Sequence, residues 1–258
     1  MKKEIKRIIK NVVPLYNEPN NKSPLETEIL FGECFKIKNF KKNWAFGINC
    51  SDNYEGWVEI KNLGKPIDNN YKISSLQSLV YETPNIKSKV KFNLFIGSLI
   101  KVENIENDWA KIKLNKINEF GFINIKSITS IKYAVKDWVN VAEKFINTPY
   151  KWGGKTAMGI DCSGLLQISL LAYGKNIPRN TKDQLKMNLE DVQNQQALSR
   201  GDLIFWKGHV AIVQNSRKLL HANQFHLKVF SEDINETIDR IREKLNLKPT
   251  FKKIKSNL

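Results

Sequence analysis

The sequence predicts an α+β chain: two small β modules, then a domain that packs a cysteine-bearing helix on an antiparallel sheet bearing histidine. Three observations predict it. Residues 1–132 repeat themselves at an offset of 65. The stretch 148–165 sets Cys162 behind a glycine-rich, aromatic approach and directly ahead of an apolar run. Downstream, His209 and His221 each stand in or beside a short apolar run of strand-like composition.

The repeat pairs Tyr16 with Tyr81, Pro19 with Pro84, Gly32 with Gly97, Trp44 with Trp109, Ala45 with Ala110 and Gly56 with Gly121. Trp57 and Val58 fall opposite Phe122 and Ile123 in the same ungapped register, which points to two homologous modules. Each reads as an aliphatic–tyrosine strand before a proline turn, an apolar run into glycine, a Trp-Ala strand, and a glycine–aromatic–aliphatic strand. Glycine supplies tight turns and the aromatics supply the core of a small barrel. The modules are expected at 1–68 and 69–132, leaving 133–258 as the third domain. Cys34 and Cys50 lie in strand-like stretches and read as small buried hydrophobes. Three cysteines without a tight pair suggest neither a disulfide framework nor a zinc knuckle.

In the third domain, Val135, Trp138, Val139, Ala142, Phe145 and Ile146 form one face of a helix over 134–147, ended by Thr148-Pro149. A second helix starts at Cys162, with Leu165, Ile168, Ser169 and Ala172 at helical spacing and Gly174 as its stop. Residues 203–206, 210–213, 218–222 and 227–230 read as strands, and Glu232 to Leu245 as an amphipathic helix. The basic end around Phe251–Lys255 reads as a solvated tail.

A cysteine in the first turn of a helix meets unpaired amides and the positive end of the macrodipole, which favour a thiolate. His209 and His221 are the candidates for moving its proton. The bland alternatives are a buried structural cysteine and satisfied core histidines. A zinc site from Cys162, His209, His221 and His226 lacks the spacing of known ligand pairs, so no metal is expected. His226 has no assigned role.

The order cysteine, histidine, third polar residue is that of papain-like peptidases. Residues 133–258 resemble the NlpC family of papain-like bacterial cell-wall peptidases. The resemblance rests on Pro149-Tyr150-Lys151-Trp152-Gly153-Gly154, Asp161-Cys162-Ser163-Gly164, Pro178-Arg179 and Gln184. It continues through Gly201-Asp202-Leu203-Ile204-Phe205, His209-Val210 and His221-Ala222. It implies Cys162 as nucleophile, His209 as general base and His221 as the residue that orients His209. Tyr150, Asp161 and Ser163 would line the substrate pocket, the carboxylate pairing with a substrate amine. From the residues alone, Asp161 or Ser163 could equally cap the helix. Arg179 and Gln184 match family positions and are left without a role. The modules at 1–68 and 69–132 resemble bacterial SH3-like domains.

The resemblance implies hydrolysis of the bond between γ-D-glutamate and a diamino acid, meso-diaminopimelate or lysine, in murein peptides, with no cofactor. The alternatives are a wall-binding or protein-binding module with a weak catalytic domain, a hydrolase acting on intact wall, and an acyltransferase or amidase on the same scaffold. Hydrophobic residues at 41% and charged residues at 26% fit a globular chain. The net charge of +16 reads as a lysine-rich surface, and nucleic acid is not an expected partner. The basic N-terminus lacks the apolar region of a secretory signal, and no run has the length of a membrane span. A cytoplasmic location is therefore expected, which favours free peptides with an N-terminal L-Ala, unless export proceeds without a signal peptide.

Overall fold

The structure, a computed structural model, describes residues 4–115 and 118–255. It divides into two compact units, 1–133 and 134–258.

In the first unit the repeat is carried by the secondary structure itself. Strands Val12–Tyr16, Leu25–Leu30 and Glu55–Glu59 recur 65 residues later as Gln77–Tyr81, Val90–Phe95 and Phe120–Asn124. Sheet order recurs as well. The first copy runs Leu25–Leu30, Val12–Tyr16, Glu55–Glu59, Trp44–Asn49, Cys34–Lys41, Ile5–Ile8, Leu63–Gly64. The second splits the same order in two. One sheet runs Val90–Phe95, Gln77–Tyr81, Phe120–Asn124, Trp109–Lys113, Val102–Glu106, and the other Leu99–Ile100, Tyr71–Ile73, Ile128–Ser130. The paired glycines keep one conformation, Gly32 at φ +82° and Gly97 at φ +87°, a region open to glycine without a Cβ clash. Tyr16 meets Trp44 edge-on at 5.8 Å, and Tyr81 meets Trp109 at 5.4 Å. The copies share a core: Phe31 of the first packs with Val80, Leu94, Ile100 and Ile112 of the second.

Cys34 and Cys50 are corrected by the structure. They face each other across the hairpin of strands Cys34–Lys41 and Trp44–Asn49 and form a disulfide, with Cα atoms 5.3 Å apart. Neither is fully buried, and Cys50 is exposed. Hairpin register brings them together, and register is invisible in a count of spacings.

The second unit is built on a six-stranded antiparallel sheet. Its order is Leu189–Asp191, Thr250–Ile254, Leu203–Trp206, His209–Val213, Lys218–Asn223, Lys228–Asp233. Helices α1 (Val139–Glu143), α2 (Cys162–Ala172), α3 (Thr181–Gln184) and α4 (Ile234–Leu245) complete it. Helix α2 packs against α1 and against strands His209–Val213 and Lys218–Asn223. Its residues from Cys162 to Leu170 are all buried, so it is a central helix rather than a surface one.

Three expectations shift. The helix over 134–147 contracts to α1, because the Asp137 carboxylate accepts the N–H groups of Val139 (3.0 Å) and Asn140 (3.4 Å) and sets the start there. Glu232 is not helical; it lies in the Lys228–Asp233 strand, and Asp233 caps α4. The basic end is no tail: Thr250–Ile254 is an interior strand, with Phe251 against the core and Lys252 Nζ 2.6 Å from Asp191. Among the described residues no helix is long and apolar enough to cross a membrane.

Candidate active site

Asp161 fixes the start of α2. Its Oδ1 accepts the Gly164 N–H at 2.7 Å and its Oδ2 the Gly153 N–H at 2.8 Å, so one carboxylate ties the helix to the glycine turn before it. Arg179 donates to both oxygens, at 2.9 and 2.7 Å, and to Ser163 Oγ at 2.7 Å and the Gly154 carbonyl at 3.2 Å. A Cβ on Gly164 would come within 2.4 Å of that carbonyl, which is why glycine follows Cys-Ser. Gln184 locks the back of the cluster by donating to the carbonyls of Ser163 (3.0 Å) and Pro178 (2.9 Å). Asp161 and Ser163, each 6% exposed, therefore serve this cluster. Arg179 and Gln184, left without a role by the sequence, hold it.

Cys162 is the first residue of α2, 8% exposed, with Thr181 Oγ1 3.9 Å from its sulfur. It lies at the base of a groove of about 370 Å³ that it shares with His209, His221 and Tyr150. Trp152, Trp206 and Phe225 supply aromatic surface, and Lys207, Arg240 and Lys244 supply positive charge. Arg240 and Lys244 both stack over Phe225, at 4.4 and 4.6 Å. A larger pocket, about 640 Å³, surrounds Trp44 of the first unit and contains no nucleophile, so size alone does not mark the chemistry.

His209 opens the His209–Val213 strand, and its Nε2 lies 2.8 Å from His221 Nδ1. The chain of contacts continues. His221 Nε2 lies 2.6 Å from Glu232 Oε1, and Arg240 donates to both oxygens of Glu232 at 2.6 Å. His226 Nε2 lies 3.3 Å from Glu232 Oε2, its ring 4.0 Å from that of Phe230. Hairpin pairing sets His221 opposite Phe230, so Glu232, two residues on, shares the face of His221. Glu232, Arg240 and Thr181 are the neighbours that sequence reasoning missed, and His226, without a role in the sequence, joins the cluster through Glu232.

Burial dominates the electrostatics. It pushes the Cys162 thiol up to about 11, helped by the Asp161 carboxylate and opposed by the Val210 N–H and the Thr181 hydroxyl. A rise from 9.0 to about 11 disfavours the thiolate by about 3 kcal/mol. A helix start returns only about 0.3–2 kcal/mol. Burial likewise pushes His209 down to about 3, with His221 acting in the same direction and Glu232 against it. His221 is lowered by burial too. Burial thus works against both the thiolate and the imidazolium in this groove and opposes the pull of the helix start. Glu232 is held below the usual carboxylate range by its bonds from His221 and Arg240, which outweigh its own burial. Among the described residues no group of three or more His, Cys, Asp or Glu is arranged to hold a metal ion.

Over 240 residues the chain is 28% identical to the dipeptidyl-peptidase 6 of Lysinibacillus sphaericus, covering 84% of this chain and 86% of that one. It is 26% identical, over 83% of its length and 77% of the relative's, to the γ-D-glutamyl-L-lysine dipeptidyl-peptidase of Bacillus subtilis. An NlpC/P60 family protein from Bacillus cereus has a similar fold, with a TM-score of 0.77 at 20% identity over 90% of this chain and 95% of that one. Residues 15–63 match the bacterial dipeptidyl-peptidase SH3 domain and residues 147–245 match the NlpC/P60 family, so the chain joins an SH3 domain of that class to an NlpC/P60 domain.

Proposed function

We propose that the chain is a cysteine peptidase that hydrolyses the bond between γ-D-glutamate and a diamino acid in murein peptides. The observation that carries the reading is the groove lined both by Cys162, at a helix start, and by His209, which is backed by His221. In this reading Cys162 is the nucleophile and His209 the general base. The thiol proton passes to His209 as sulfur attacks the γ-carbonyl carbon, burial favouring the neutral pair until then. The backbone N–H of Cys162, at the positive end of α2, faces the developing oxyanion. His209 then protonates the leaving amine, and water resolves the γ-glutamyl thioester with His209 again as base.

Tyr150 contacts substrate from the groove wall. Asp161 and Ser163 are assigned to the substrate's free amino end. Free L-Ala-γ-D-Glu-diamino acid peptides are the proposed substrates, lysine or meso-diaminopimelate being the diamino acid. The names of the relatives support the γ-D-glutamyl bond. We place residues 69–132 as a second SH3-like copy on the strength of the recurring strand order, and take the two copies as small barrels.

A cytoplasmic recycling role and an exported role differ in what they expect of Cys34 and Cys50. Disulfides persist in oxidising compartments and are rare in the cytosol, so the bridge speaks for the exported alternative. A second reading, a binding role for the first module, is favoured by the pocket around Trp44.

The test is mass spectrometry of synthetic L-Ala-γ-D-Glu-L-Lys and its meso-diaminopimelate counterpart after incubation with the native protein and with Cys162→Ala. Release of L-Ala-D-Glu by the native protein alone is expected. Equal release by both proteins removes Cys162 from the reaction, and release by neither, together with binding to sacculi, moves the weight to the binding role.

A further inference from the structure

The 2.8 Å contact between the two histidine rings makes one detail decisive. A neutral imidazole accepts a proton at only one ring nitrogen, and which one is set by the hydrogen bond at the other. His209 uses Nε2 toward His221, so Nδ1 is the ring nitrogen left for the proton of Cys162, which lines the same groove. If His209 carried its proton on Nδ1 it could accept nothing from the thiol. Something must force the proton to Nε2.

His221 alone does not force it, because its ring has the same ambiguity. Glu232 resolves it. Its carboxylate only accepts, so the 2.6 Å contact requires a proton on His221 Nε2. His221 Nδ1 is then a bare lone pair, and the 2.8 Å contact is a hydrogen bond donated by His209 Nε2. A doubly protonated His221 would reverse this. The Arg240 guanidinium, bonded to both carboxylate oxygens, already supplies the positive charge Glu232 needs. His226, from the turn before the strand, supplies the remaining contact to Oε2. Glu232 is thus met from its own hairpin by His221 and His226 and from α4 by Arg240.

We infer that Glu232, clamped by Arg240, is a positioning residue that dictates the tautomers of both histidines and so makes Nδ1 of His209 the acceptor of the Cys162 proton. Nothing in the sequence motif reaches Glu232; it acts through two rings without touching substrate. The inference rests on the proposed roles of Cys162 and His209, but its central claim about tautomers is measurable without any substrate.

The chain has three histidines, so a long-range ¹H–¹⁵N correlation spectrum of the labelled full chain contains three ring patterns. The native protein at neutral pH is expected to show His209 and His221 both protonated on Nε2. Glu232→Ala is expected to introduce the Nδ1-protonated form of His221, with His209 following. The double variant Glu232→Ala/Arg240→Ala removes the charge pair as a unit and guards against a folding defect from a stranded guanidinium. It should lose the single tautomer in the same way.

On peptide cleavage, Glu232→Ala should lower kcat by about 10²–10⁴-fold with KM little changed, the upper figure being the cost of a wrong tautomer in a serine-protease triad. In a His221→Asn background the amide oxygen accepts from His209 Nε2 whatever stands at 232, so adding Glu232→Ala should cost far less. Equal costs in both backgrounds would mean a merely structural role and overturn the inference, as would Nδ1 protonation of His209 in the native protein or unchanged tautomers in both alanine variants. If the tautomers behave as stated while no γ-glutamyl peptide is cleaved, the inference stands and the substrate assignment falls.

Discussion

Removing the Asp161 carboxylate probes both the stability and the geometry of the site. Asp161 accepts bonds from Gly164 (2.7 Å), Gly153 (2.8 Å), Ser163 Oγ (3.2 Å) and both terminal nitrogens of Arg179 (2.9 and 2.7 Å). The Arg179 side chain is 1% exposed, so Asp161→Ala strips a buried guanidinium of this carboxylate. Breaking a buried pair from one side costs about 3–5 kcal/mol, and the lost helix cap adds about 1 kcal/mol. The expected loss of about 4–6 kcal/mol is a large share of the ~5–15 kcal/mol that keeps a domain folded. Urea unfolding followed by tryptophan fluorescence reads it, because Trp138 and Trp206 are buried in this unit and respond to its transition. Asp161→Ala/Arg179→Met deletes both charges and should recover part of the loss, a coupling of about 2–3 kcal/mol in the double-mutant cycle. A loss below about 1 kcal/mol for Asp161→Ala, or strict additivity of the two changes, would refute the claim that this pair organises the start of α2.

Acid should destabilise the second unit through its histidines. His209 is lowered from 6.5 to about 3, so between those values the unfolded chain binds a proton that the folded chain refuses. Stability is therefore complete above about pH 6.5 and declines as pH falls, by up to about 1.4 kcal/mol per pH unit for one such group. His209→Gln should flatten the dependence of the urea midpoint between about pH 6.5 and 4; an unchanged slope contradicts the burial argument. In the first unit, reduction of the Cys34–Cys50 bridge, which spans 16 residues, should cost about 3 kcal/mol by chain entropy. A lower melting temperature in reductant, with only Cys162 alkylated before reduction, checks both the cost and the pairing.

The sequence was most readable where local pattern and chemistry coincide. The helix at Cys162 declared itself by helical spacing and a glycine stop, and its observed span is Cys162–Ala172. The four strands over 203–230 were legible as β-branched and apolar runs between turns. What stayed hidden was what pairing decides. Cys34 and Cys50, His221 and Glu232, and Thr250–Ile254 between its two neighbours are all brought together by register. Phe251-Lys252-Lys253-Ile254 looked like a tail because two lysines hide its alternation, and only the partner strand supplies Asp191 to one of them. The electrostatics of the thiol was hidden for a different reason: a helix start is a local property, whereas desolvation depends on everything packed around the sulfur, and burial pushes the thiol up.

The shared core of the first unit changes what the duplication means. Phe31 stands in the first copy by sequence and in the second copy's interior by packing, with the Arg7 guanidinium 5.2 Å above its ring and bonded to the Leu114 carbonyl at 3.2 Å. Leu99 donates its N–H to the Phe31 carbonyl at 2.8 Å, and a side chain on Gly32 would collide with Leu99. Such copies are not beads that recombination can shuffle singly. A graft of one copy into another chain would carry an exposed phenylalanine or leave a hole where one belonged. The pair folds as one block, so a change at Phe31 or Gly32 is felt in the interior of the other copy.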